Sequence, residues 1–226
     1  MLFNLTPALL IANLIALGIG MTIHEFAHNY VGYRMGDPTP KRMGRLTLNP
    51  LVHINWIGWI MFAVLGFGIL GSAPINPYNM PAENRRWRWF AAVAAGPISN
   101  LILAILFGIV MRLLFAFNIY DLGDLFLAYQ ADFDVARLPI LIIYQVIALN
   151  VVLFLFNLIP LFPIDGWHMV FCLLPPSLAA QWERYQQVTF YIFIGLMLLS
   201  FTRIFNVFGI LISQPAGELQ RLLIGI

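Results

Sequence analysis

Apolar residues run through this chain in four long blocks, Pro7–Tyr33, Trp89–Phe117, Leu138–Ile159 and Val188–Ile212, each near the roughly 20 residues a helix needs to cross a bilayer. Polar and charged residues gather in the stretches between them. A fifth block, Ile54–Gly71, breaks the pattern. It is shorter, carries Gly58, Gly66, Gly68 and Gly71, and is flanked by His53, Asn55, Pro74 and Pro77, residues that interrupt regular helix. The pattern predicts an all-α polytopic membrane protein with about four full transmembrane helices plus one re-entrant or short hydrophobic segment around Ile54–Gly71.

Composition agrees: 61% of the residues are hydrophobic and 10% charged, with a mean hydropathy of +0.85, which excludes a soluble globule. No stretch outside the blocks is long enough to bury its own core, so residues 1–226 read as a single membrane-embedded domain in a lipid bilayer. The formal net charge of +2 is too small to suggest a nucleic-acid partner. Basic residues speak instead about topology. Arg34, Lys41, Arg42 and Arg45 precede the fifth block and Arg85, Arg86 and Arg88 follow it, so both flanks face the cytoplasm and the block dips in and returns. The loop from Asn118 to Arg137 holds Asp121, Asp124, Asp132 and Asp134 and reads as external, which leaves both termini outside. The first block lacks a basic start and carries polar chemistry at its far end, so it reads as a mature span and not as a signal peptide. The lone Cys172 excludes an internal disulfide and a multi-cysteine metal site; a bound metal would need His, Asp or Glu.

That polar chemistry is His24-Glu25-Phe26-Ala27-His28. Ionisable groups inside a membrane helix cost roughly 2.5–3.5 kcal/mol on insertion scales and are paired, ligated or bathed in a wet cavity. Residues four apart share a helix face, so His24 and His28 can grip one ion while Glu25 sits beside it as a base. A catalytic zinc takes three protein ligands and keeps a fourth position open. Asp165, His168, His53 and Asp37 are the candidates for the third. Asp165 is preferred, because it follows Asn157-Leu-Ile-Pro160-Leu-Phe-Pro163-Ile, where two prolines break the helix, and precedes the permissive Gly166. His168 reads as interfacial, His53 either as interfacial or as lining the cavity, and Asp37 as a turn residue after the first helix.

Taken together these elements resemble the site-2 protease family of intramembrane zinc metalloproteases. His24–His28 fits its H-E-x-x-H, Asn157–Gly166 fits its N-x-x-P-x-x-P-x-D-G, and Ala95-Gly96-Pro97-Ile98-Ser99-Asn100 is similar to its A-G-P-x-x-N. Gly36-Asp37-Pro38-Thr39 and Gly44–Pro50 resemble the small bacterial branch without PDZ or CBS domains, although Asn55-Trp56 stands where that branch tends to carry Asp-Pro. The resemblance implies that His24, His28 and Asp165 hold one Zn2+ and that Glu25 activates water and carries the proton to the leaving amine. It implies hydrolysis of peptide bonds in or near transmembrane segments, in single-span membrane proteins or remnant signal peptides, at a site toward the cytoplasmic leaflet of the cell membrane. Asn100 and Asn157 either hold the unwound substrate or support the transition state, or they serve the fold, Asn100 by interhelical hydrogen bonding and Asn157 by capping the broken backbone. A metal transporter would need polar groups continuing across the bilayer, whereas the outer halves of the spans read as apolar. A non-cutting relative would have lost one of the four site residues, and an enzyme for lipidated carboxyl-terminal peptides would not explain Asn157–Gly166.

Overall fold

The protein is described here by a computed structural model covering residues 6–59, 71–130, 133–201, 207 and 209–226. Helix α1 (Pro7–Arg34) begins where Thr6 Oγ1 accepts a hydrogen bond from the Leu9 amide at 3.3 Å and Pro7 occupies the first turn, where a missing N–H costs nothing. The short helices α2 (Thr39–Arg42) and α3 (Pro50–His53) follow, then a 3-10 turn at Pro77–Asn79 and the long α4 (Arg85–Ala116). Beyond it come α5 (Leu122–Gln130), α6 (Leu138–Asn157), α7 (Asp165–Leu173), α8 (Pro176–Arg184), α9 (Gln186–Phe201), a π-helical turn at Gly209–Ser213 and α10 (Gln214–Ile224).

Helices α1, α4 and α6, of 28, 32 and 20 residues, are long and apolar enough to cross a membrane, and each packs on the other two. Apolar α9 begins the fourth expected span, of which residues 202–206 and 208 lie outside the described residues. The packing follows from one row on α1. Ala8, Ala12, Ala16, Gly20, His24 and His28 recur at every fourth position, and all are buried. Such a row forms a single ridge, and its small residues let neighbouring backbones come close without a large apolar filler. Met111 of α4 and Ile140, Leu141, Ile147 and Val151 of α6 complete this core with no exposure. The two histidines continue the packing ridge and are thereby carried into the bundle.

The fifth block returns to its starting point. Ile54 and Gly71 form an antiparallel bridge, so the entry and exit of the segment lie side by side, as expected of a re-entrant element; residues 60–70 between them lie outside the described residues. Both groups of arginines share one end of the bundle, where Arg88 Nη1 donates to the Met35 carbonyl at 3.3 Å. In the loop read as external, Arg137 pairs with Asp124 at 3.0 Å and with Asp134 at 2.5 Å. The expectation of purely apolar outer half-spans needs correction. Gln145 of α6 is buried, and its Nε2 donates to Tyr129 Oη of α5 at 2.5 Å. The amide is tolerated because the short helix α5 supplies its partner.

Asp37 ties the end of α1 to the chain emerging from the fifth block. It has no exposure; its Oδ1 accepts from Thr39 N at 3.0 Å, Thr39 Oγ1 at 2.6 Å and Asn79 Nδ2 at 3.1 Å, and its Oδ2 from Asn76 N at 2.6 Å. Burial alone would raise its pKa, but the hydrogen bonds from Thr39, Asn76 and Asn79 outweigh that effect and hold the carboxyl below the ordinary carboxylate range. A depressed folded-state pKa contributes stability at pH values above the unfolded value, here about 4, and that stability fades as pH falls through the folded value. Asp37→Asn should therefore lower stability at pH 7 by about 1–3 kcal/mol and flatten the stability profile between about pH 5 and the acid limit. Unfolding in detergent across that range checks this, and identical profiles for the two proteins would refute the latch.

Candidate metal centre

Three elements converge at the arginine-rich end of the bundle. Helix α1 presents His24 and His28 one turn apart, with ring centroids 4.5 Å apart and planes nearly perpendicular at 88°. Asp165 comes from the first turn of α7, where the exposed backbone N–H groups favour an anion. Gly166 makes this possible: a β-carbon there would lie 2.5 Å from the carbonyl oxygens of both Leu158 and Ile159, so only glycine lets α7 fold back against the end of α6. From α4, Gly96 faces the imidazoles, and a β-carbon there would sit 2.2 Å from His28 Nε2 and 2.7 Å from His24 Cε1. The histidines thus occupy a space left by a missing side chain.

His24 Nε2 lies 3.0 Å from His28 Nε2, and Asp165 Oδ2 lies 3.3 Å from the first and 3.2 Å from the second. The hydrogen bonds on the far side of each ring fix its tautomer. His28 Nδ1 donates to the Ala92 carbonyl at 2.9 Å, since a carbonyl can only accept. Asn100 Nδ2 donates to the Gly20 carbonyl at 3.1 Å, which leaves Asn100 Oδ1 to accept from His24 Nδ1 at 2.7 Å. With the proton on Nδ1 in both rings, both Nε2 atoms carry lone pairs. Two lone-pair nitrogens and a carboxylate oxygen this close together repel one another unless a cation or a shared proton lies between them. The separations also suit zinc, because ligand atoms about 2.0–2.1 Å from a tetrahedral centre stand about 3.3 Å apart. Among the described residues, His24, His28 and Asp165 are the group able to hold a metal ion, and the donor set fits Zn2+ in number, type and spacing.

Glu25 stands beside this group. It is buried, and its Oε2 has no hydrogen-bond partner. It lines a cavity of about 40 Å3 together with Thr22, His53, Ile54, Trp59 and Gly71, a volume sufficient for water. Gly71 presses on the carboxylate, for a β-carbon there would lie 2.4 Å from Glu25 Oε1. The end of the fifth block therefore forms a wall of the cavity, and the backbone position of Gly71 sets the room left for Glu25.

The other candidates stand outside the three-ligand group. Asn100 is fully buried, accepts from His24 and donates to the Gly20 carbonyl of α1. Asn157 is half-buried and donates to the Leu153 carbonyl of its own helix at 2.9 Å. His53 donates from Nε2 to the Thr47 carbonyl at 2.7 Å, while its Nδ1 is buried without a partner in a residue that lines the Glu25 cavity. His168 packs at steep angles against the rings of Trp89, Trp167 and Phe162 and stands outside the three-residue group. Asp37 serves the latch. Sequence reasoning had no means of finding the Ala92 carbonyl or the fit of Gly71 against Glu25, since both act through backbone.

Gly96→Ala should remove metal binding, because its methyl group would occupy the space of two imidazoles held on both sides. Retention of one zinc per folded chain, read by metal analysis after dialysis, would show that the rings can retreat and that the cradle is not required.

The family model of peptidase family M50 matches residues 12–201, a stretch that includes α1, α4, α6 and α7 up to Leu173 apart from the first turn of α1. The chain is similar to "Putative zinc metalloprotease YwhC" of Bacillus subtilis, 36% identical over 184 residues, which cover 81% of this chain and 78% of that protein. It is also similar to "Putative zinc metalloprotease Rip2" of Mycolicibacterium smegmatis, 31% identical over 94 residues, 39% of this chain and 35% of that one. No solved structure matches. A match running through every helix that shapes the lone-pair triangle shows that the chain belongs to peptidase family M50, the site-2 protease family, and is a membrane zinc metalloprotease.

Proposed function

We propose that this metalloprotease hydrolyses peptide bonds in or beside the transmembrane segments of other membrane proteins, with zinc on His24, His28 and Asp165 and with Glu25 as the proton carrier. The observation that supports this most is the position of Glu25: a buried carboxylate with an unpartnered oxygen, on a cavity large enough for water, adjacent to three converging ligand atoms. When bound, zinc supplies Lewis acidity, which polarises oxygen and eases its deprotonation near neutral pH. Glu25 Oε2 takes the proton of the attacking water and returns it to the leaving nitrogen, a transfer that must occur within hydrogen-bond reach. The Nδ1 protons of His24 and His28 are hydrogen-bonded to Asn100 and the Ala92 carbonyl, which leaves both Nε2 lone pairs for the metal.

A helical substrate hides its carbonyls in its own backbone bonds, so the scissile stretch has to be drawn out. The bridge between Ile54 and Gly71 places extended backbone at the wall of the Glu25 cavity, where an unwound strand can pair by backbone hydrogen bonds. We place the site toward the cytoplasmic leaflet of the cell membrane, because Arg34, Lys41, Arg42 and Arg45 and Arg85, Arg86 and Arg88 gather at its end of the bundle. The substrate class is a single-span membrane protein or a remnant signal peptide, presented as one helix from the lipid, and residues 1–226 act as one membrane domain.

Glu25→Gln should lower cleavage roughly 100- to 10,000-fold while leaving one zinc per chain, whereas Asp165→Asn should lose both zinc and activity. Purified parent and variant chains, incubated with a panel of single-span substrates and analysed for zinc, decide this. A Glu25→Gln protein that cuts as fast as the parent would end the proposed role of that residue, and a parent chain without zinc would end the metal assignment.

A further inference from the structure

Behind the metal centre a second asparagine lies in the middle of a membrane helix. Asn150 of α6 has no exposure, and the sequence offers no motif that explains an amide buried at that depth. Its Nδ2 donates to the Val146 carbonyl one turn earlier at 2.8 Å, and its Oδ1 accepts from Asn100 Nδ2 at 2.7 Å. Asn100 Nδ2 also donates to the Gly20 carbonyl, and Asn100 Oδ1 accepts from His24 Nδ1. All three spans meet here, and every bond runs in one direction: His24 donates to Asn100, Asn100 to Asn150, and Asn150 to a backbone carbonyl.

The direction matters because an amide side chain can turn over. Were Asn100 reversed, its Nδ2 would face the ring and the His24 proton would have to move to Nε2, the atom that points at His28 and Asp165. Two acceptors prevent reversal, the Gly20 carbonyl and Asn150 Oδ1. Asn150 is itself held the right way round by the Val146 carbonyl, which cannot accept from an oxygen. The fit is close, for a β-carbon at Gly20 would lie 2.9 Å from Asn150 Oδ1. Gly20 therefore lets α6 approach α1 closely enough for Asn150 to reach Asn100.

We propose that Asn150 is a positioning residue for the metal centre: through Asn100 it holds the His24 imidazole with its proton on Nδ1 and its Nε2 lone pair directed at the metal. The inference rests on the zinc reading above. Groups that orient a metal-binding histidine contribute typically 10- to 100-fold in metal affinity, and Asn150 acts one hydrogen bond further out, on the amide that performs that task.

The test measures zinc affinity by chelator competition in the purified detergent-solubilised chain, and the visible spectrum after cobalt substitution, which reports the geometry of the ligand set. Asn150→Leu keeps approximate volume and removes both hydrogen bonds; it should weaken zinc binding about 10- to 100-fold and change the cobalt spectrum while helical content stays at the parent level. Asn150→Asp, in its neutral form, retains an acceptor toward Asn100 and a donor toward Val146 and should restore affinity to near the parent value, which a requirement for side-chain volume alone would not explain. If Asn150→Leu fails to fold, Gly20→Ala decides, since its methyl group displaces Asn150 Oδ1 at a position where alanine otherwise favours helix; the same loss of affinity is expected. Parent-like zinc affinity and cobalt spectrum in a folded Asn150→Leu chain, or in Gly20→Ala, would overturn the proposal and leave the zinc reading intact. A parent chain that binds no zinc would overturn both.

Discussion

Three electron-rich atoms lie within 3.3 Å of one another inside a bundle built for a hydrocarbon surrounding. In such a medium a polar group without a partner costs several kcal/mol, so the remaining structure is arranged around supplying partners. Each imidazole places its proton on the side away from the triangle, one on the Ala92 carbonyl and one on Asn100. Gly96 gives up its side chain so that the rings fit, and Gly166 gives up its own so that Asp165 can turn inward. The small residues of α1 draw the other spans close enough for these partners to reach.

Much of this was legible in the sequence because it rests on spacing. The four-residue interval between His24 and His28 and the two prolines before Asp165 are local signals, and the structure brings all three residues together. The apolar blocks located α1, α4 and α6, although the ends of α4 moved: the helix begins at Arg85, within the arginine group, because those side chains satisfy nearby carbonyls and do not terminate the helix. Gln145 and Asn150 were harder to read. A single amide among apolar residues barely alters mean hydropathy, and its meaning depends on a partner in another helix, which one sequence does not reveal. The roles of Gly71 and the Ala92 carbonyl were beyond reach for a related reason, since backbone carries no letter.

A pathway across the bilayer would require polar groups available to a moving ion, but Gln145 is bonded to Tyr129 and Asn150 to Asn100 and Val146. These amides bind helices to one another. Two buried groups without a partner, Glu25 Oε2 and His53 Nδ1, belong to residues lining one cavity, which suits a reaction confined to one place.

The row of buried residues on α1 joins packing and chemistry in a single phase. Each residue added to a helix turns everything beyond it by about 100°. One insertion between Gly20 and His24 would therefore leave the small residues packed and swing both imidazoles away from Asp165, into the directions that buried Glu25 and Asn29 now take, or keep the imidazoles in place and turn the small residues outward. Single-residue substitutions along α1 have graded consequences, but a change of length admits no compromise. The helix behaves as an indivisible ruler, and variation in the number of residues has to be absorbed by the loops that join the spans.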